Sequence, residues 1–69
     1  MAPGTHVHFY RGTVSRFACP GGPYEGDGVF EATWELWPGI TAHDVRMDDG
    51  TLVSVFPDCG DDLDALVAA

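Results

Sequence analysis

The fold class this sequence predicts is all-β, on three observations. Apolar and polar residues alternate in short runs, at "HVHFY", "VFEATWELW" and "VRMDDGTLVSVF". Nine glycines and five prolines in 69 residues break those runs with turns. The runs recur roughly every ten residues, the spacing of a small barrel or sandwich. A barrel of about five short antiparallel strands is the economical form, because curling removes sheet edges. A chain this short buries only about 60% of its unfolded surface, so one modest core is all it supports.

Residues 1–5 read as a disordered lead, residues 6–57 as the barrel and residues 58–69 as a C-terminal capping helix. In "HVHFYRGTVSRFA", Val7 and Phe9 share one strand face; His6, His8 and Tyr10 share the other. Gly12 interrupts the run as a bulge or tight bend, so residues 6–18 are expected as two strands or one bent strand. "CPGGPYEGDG", residues 19–28, holds four glycines and two prolines and is expected as a surface loop. Over residues 29–37 strict alternation puts Phe30, Ala32, Trp34 and Leu36 on the core face. Glu31, Thr33, Glu35 and Trp37 fall on the other face, and Pro38-Gly39 ends the strand. At the C-terminus, Asp61, Asp62 and Asp64 sit where a helix N-terminus favours negative charge, and Leu63, Leu66 and Val67 recur at i, i+3 and i+4, the pattern of a two-turn helix.

Residues 45–56 read as a hairpin around Asp48-Asp49-Gly50, with two registers available. A two-residue loop pairs Met47 with Leu52. A three-residue loop, a type I turn at Asp48-Asp49 followed by a left-handed Gly50, pairs Met47 with Thr51 and Val45 with Val53. The second register gathers Val45, Met47, Val53 and Val55 on one face, and it is preferred because a one-residue slip would turn that set outward.

The order of bent first strand, long loop, strand, tight turn and hairpin resembles the SH3-like small barrels of the Tudor and KOW kind. The residues that carry the resemblance are "VHFYRGTV" (Val7, Phe9, Gly12, Val14) and "VRMDDGTLVSVF", and it spans residues 6–57. What it implies is a binding module rather than a catalyst. Members bind peptides, methylated side chains, RNA or the transcription machinery. The nucleic-acid-binding members are basic, and this chain departs from them.

Eleven acids face three arginines and no lysine, for a formal charge of −8. Residues 1–24 hold Arg11, Arg16 and no acid; residues 25–69 hold all eleven acids and only Arg46. A field of that sign repels phosphate backbones and favours basic protein partners or plain solubility, so direct nucleic-acid binding is not expected. No 18-residue apolar run and no basic-then-apolar leader occurs, which predicts no membrane span and a cytoplasmic location with reduced cysteines.

Few residues invite chemistry. His6 and His8, with His43, Cys19 or Cys59, supply zinc-ligand types, yet no C-x-x-C spacing accompanies them. A Cys19–Cys59 disulfide is disfavoured by the inferred compartment. His43 and Asp44, adjacent on a strand, point to opposite faces and cannot act as a dyad. Neither serine, Ser15 or Ser54, lies in a nucleophile elbow, and "GGPYEGDG" has no lysine to cradle a phosphate. Neither an enzyme nor a cofactor is expected.

Aromatics outside the core faces are the better candidates. Tyr10, Tyr24 and Trp37, beside Glu25, Asp27 and Glu35, have the makeup of a site that holds a cationic side chain by cation–π contact and charge. The alternative is that these rings extend the core across a barrel end. The leading expectation is therefore a non-enzymatic module presenting an acidic, aromatic-edged face to a basic protein. A second is an acidic inhibitor or nucleic-acid mimic occupying a partner's basic groove, and a third is a small zinc-binding protein.

Overall fold

The structure, a computed structural model, describes residues 1–18 and 22–66. Its strands are β1 (His6–Tyr10), β2 (Glu25–Trp37), β3 (Ile40–Arg46), β4 (Leu52–Val55) and β5 (Asp62–Ala65). They form one antiparallel sheet in the order β4-β3-β2-β1-β5. The 13-residue β2 is the spine of this sheet, pairing with β1 through its first residues and with β3 through the remainder. The all-β expectation holds. The barrel is not closed, because among the described residues β4 and β5 remain the two edges of the sheet.

The core lies on one face. Val7, Phe9, Phe30, Val45, Val53 and Val55 form its buried cluster, with Met47 and Leu63 packed against it. β1 places Val7 and Phe9 inward as its alternation requires. The hairpin adopts the preferred register. Val45 pairs with Val53 and Arg46 with Leu52. The Met47 N–H reaches the Thr51 carbonyl at 2.8 Å, and the Gly50 N–H closes the turn on the Met47 carbonyl at 2.9 Å. Gly50 has φ +90°, the left-handed conformation that a type I turn with a following bulge requires.

Five sequence expectations are corrected. Residues 13–18 are not strand: α1 (Thr13–Ala18) follows β1 directly. Gly12 marks the bend for a steric reason, since a Cβ there would stand 2.6 Å from the Gly60 carbonyl oxygen. The expected loop over residues 19–28 is shorter, because β2 already begins at Glu25 and pairs it with Tyr10. The C-terminal capping helix is absent over residues 62–65. A 3₁₀ turn at Pro57–Cys59 leads into β5, which pairs with β1 and puts Leu63 opposite Phe9. Two helical turns would be marginal alone, whereas a strand on β1 satisfies backbone groups along a whole edge. The lead is also tied down at its end, with Gly4 N–H bonded to the Phe30 carbonyl and Phe30 N–H to the Thr5 carbonyl.

The fifth correction concerns the faces of β2. Phe30 pairs with Val45, but Ala32 pairs with Asp44, so Glu31 is an extra residue in a β-bulge. Directly paired residues share a face, which sends Ala32 and Trp34 away from the core. Trp34 is 41% exposed instead of buried. A second irregularity between Glu35 and Trp37 leaves Leu36 as the extra residue and pairs Trp37 with Ile40. Trp34 and Trp37, expected on opposite faces, thereby share the face of Ile40, Ala42 and Asp44. Arg46 secures the first bulge, donating from Nε to Glu31 Oε1 at 2.9 Å and from Nη1 to the Gly50 carbonyl at 2.9 Å.

Candidate functional site

The six expected binding residues divide into two groups. Tyr10, Tyr24, Glu25 and Asp27 lie at the start of β2 and the end of β1, while Glu35 and Trp37 lie at the far end of β2. The strand that carries both groups keeps them apart.

In the first group the anticipated cation is the chain's own. The Arg16 guanidinium lies 4.9 Å from the Tyr24 ring centroid and 5.9 Å from that of Tyr10. The acids there are engaged too. His8 Nδ1 is 2.5 Å from Asp27 Oδ1, and its Nε2 is 2.8 Å from Glu25 Oε2. A ring with a carboxylate at each nitrogen bonds both only when both nitrogens carry protons. Those two bonds raise the His8 pKa above its ordinary 6.5, Asp27 contributing most. Asp64 of β5 is the cross-strand neighbour of His8 on its other side, and Asp62 that of Tyr10. This outer face of β5, β1 and β2 thus carries rows of acids with one histidine clamped among them, an arrangement that spacing along the chain does not reveal.

Among the described residues the zinc-ligand types do not converge. His43 accepts or donates a 3.0 Å bond with Thr33 Oγ1, and its ring lies 5.9 Å from that of Phe30. Asp44 faces the opposite side, as adjacency on a strand dictates. Cys59 is a half-buried free thiol in the 3₁₀ turn, and Cys19 lies outside the described residues. Among the described residues no group of three or more His, Cys, Asp or Glu side chains is placed to hold a metal ion.

The second group opens onto a concave surface. An apolar pocket of about 190 Å³ is lined by Val14, Ser15, Leu36, Trp37, Ile40, Phe56 and Cys59. Trp37 is 63% exposed, Val14 64% and Leu36 43%, so its walls stand open to solvent. The wall residues are brought together by α1 and by the irregular end of β2. α1 supplies Val14 and Ser15, and the bulge at Leu36 sets both Leu36 and Trp37 at the rim. Phe56 forms the partition toward Trp34, whose ring it meets edge-on at 6.5 Å. Asp58, next to Cys59 in the 3₁₀ turn, accepts the Thr41 N–H at Oδ2 at 2.9 Å, whereas Glu35 pairs with Thr41 and so lies on the face opposite Ile40 and Trp37. Of the residues lining this pocket, sequence reasoning singled out Trp37 for binding. It missed Val14 and Ser15, because their segment alternates like a strand, and it weighed Cys59 only as a metal or disulfide partner.

Among the described residues no helix is long and apolar enough to cross a membrane. Comparison of the chain with protein-family models, with curated proteins and with solved structures finds no match.

Proposed function

We propose that this chain is a non-enzymatic protein-binding module that seats a basic segment of its partner on the pocket beside Trp37. One observation carries the reading. A small domain leaves Val14, Leu36 and Trp37 outside its core, grouped around a preformed apolar hollow. Contiguous exposed apolar surface is characteristic of interaction sites, and an aromatic beside a pocket is the usual form of a binding hot spot. The partner's sign follows from the net charge of −8.

The test compares captures from native lysate by the wild-type chain and by Trp37→Ala, identified by mass spectrometry. A protein retained by the wild type should be lost with Trp37→Ala, whose affinity falls by about 2 kcal/mol or more, the scale of a hot spot. Circular dichroism should show Trp37→Ala folded, since most of the ring is already in water. Identical captures by the two baits would sink the reading.

The acid rows of β5, β1 and β2 favour a second reading, the nucleic-acid mimic. There affinity would rest on dispersed carboxylates, survive Trp37→Ala and collapse with added salt. His8 already engages Glu25 and Asp27, which makes this the weaker reading.

A further inference from the structure

We infer that the free edge of β4 takes an extended basic segment of the partner as a sixth strand, paired to Leu52 and Ser54. Lysines or arginines at the two ends of that segment meet Asp48-Asp49 and Asp58. The inference adds a second contact to the reading above, shares with it only the sign of the partner, and can fail apart from it.

Hydrogen bonding locates the edge. The Met47 N–H donates to the Thr51 carbonyl, so Met47 with Thr51, and two residues on Val45 with Val53, are the bonded pairs of the hairpin. Leu52 and Ser54 alternate with these, and their backbone N–H and C=O groups point away from β3. Among the described residues nothing bonds those groups. The next residue of the set is closed: Phe56 donates its N–H to Asp61 Oδ2, and its carbonyl accepts the Cys59 N–H at 2.9 Å. A row of unpaired backbone groups is a template for another strand, and Leu52–Val55 carries no charge, proline or bulge to close it. There is room for side chains as well. A hollow of about 380 Å³ lies against Thr51–Ser54, with Trp34, Phe56 and Arg11 in its wall.

Charge chooses the occupant. A second copy of the chain would use all of these groups only in the antiparallel register that pairs Leu52 of each copy with Ser54 of the other. Extended along the chain, that register sets Asp48 of each copy toward Asp58 of the other, and it joins two chains of charge −8. Like charges brought together in this way oppose association. A basic segment reverses the sign at both ends, since Asp48, Asp49 and Asp58 are all exposed. Arg11 in the wall of the hollow disfavours a cation there, so the middle of the segment is uncharged and its basic residues stand at the ends.

The probe is the acetylated and amidated peptide Lys-Thr-Val-Thr-Val-Lys, long enough to lie along Thr51–Phe56. Full-length isotope-labelled protein is titrated with it to millimolar concentration, and amide exchange with deuterium is followed by NMR. The Leu52 and Ser54 amides should exchange fast in the free protein and be protected at saturation. Replacing both lysines by glutamates should weaken binding by about tenfold or more. Trp37→Ala should leave the affinity of the lysine peptide within about twofold. Loss of binding in Trp37→Ala would move the peptide to the Trp37 pocket and overturn the edge assignment while supporting the pocket. Absence of binding, or binding that leaves Leu52 and Ser54 unprotected, would overturn the assignment as well. Protection without peptide that grows with protein concentration would give the edge to a second copy. Equal affinity for the glutamate peptide would strike out the basic segment.

Discussion

Trp34 donates its indole N–H to Asp44 Oδ1 at 3.0 Å, and the same oxygen accepts the Ser54 hydroxyl at 2.9 Å. One carboxylate on β3 thus ties β2 to β4 on the face away from the core. Trp34 is held by polar geometry rather than by burial, and its energetics should follow. Full truncation of a buried Trp costs about 3–5 kcal/mol. With 41% of the residue exposed, Trp34→Ala should cost about 2 kcal/mol and leave the domain folded. Phe9→Ala, at a fully buried position, should unfold it. Urea titration followed by circular dichroism separates the two. Equal losses would place Trp34 back in the core.

Asp61 is a buried carboxylate, 3% exposed, and both of its oxygens accept backbone N–H groups. Oδ1 takes Gly12 at 2.7 Å and Oδ2 takes Phe56 at 2.9 Å, fastening the end of β1 to the end of β4. Hydrogen bonds to charged groups contribute about 1.5–3 kcal/mol each, so Asp61→Ala should cost about 3 kcal/mol or more. That approaches the whole stability of a domain this small. Asp61→Asn should also destabilise, because its amide nitrogen would face a backbone N–H. Stability of Asp61→Ala within about 0.5 kcal/mol of wild type, the range of an ordinary surface change, would show that these bonds contribute little.

The His8 clamp predicts a pH dependence with a definite sign. The folded-state pKa lies above the ordinary 6.5, so protonation favours the folded form. The stabilisation is complete below about pH 6.5, while the carboxylates stay ionised, and is lost as pH rises through the folded-state value. Neutral His8 can donate to only one of its two carboxylates, and Asp64 then faces Glu25 and Asp27 across it with no cation between. In NMR titration the His8 Cε1–H should show its midpoint above 6.5. The stability difference between wild type and His8→Gln should shrink with rising pH. A midpoint at or below 6.5, or a difference independent of pH, would remove the clamp from the account.

Gly50→Val tests the hairpin. No atom within 4 Å would meet a Cβ at Gly50, so the cost is backbone strain at φ +90° rather than a clash. A β-branched residue held in that region should lose about 1–3 kcal/mol. For a domain of this size each kcal/mol lowers Tm by roughly 4–8 °C. An unchanged Tm would mean that the turn rearranges freely.

Local patterns determined by the sequence alone proved to be those set by one strand and its own turn. Val7 and Phe9 face inward because alternation within β1 says so, and the register of Val45 with Val53 follows from turn chemistry at Asp48-Asp49-Gly50. Trp37 and Glu35 were legible as exposed residues because the end of a strand leaves them in solvent on any facing of β2. The tertiary structure decided the rest. A bulge exists only as a mismatch in count between two paired strands, so Glu31 and Leu36 look regular in sequence and are extra only against β3. Their effect is to carry Trp34 out of the core and onto the face of Trp37. Residues 13–18 alternate well enough for a strand, yet they form α1, with Arg16 over Tyr10 and Tyr24 and Val14 beside Trp37. Residues 62–66 fit a helical repeat through Leu63 and Leu66 and a strand through Asp62-Leu63-Asp64. The edge of β1 settles that choice, since it offers hydrogen-bond partners for the backbone and Phe9 for Leu63 to pack against. Each pattern was ambiguous within its own segment, and only a partner elsewhere in the chain resolved it.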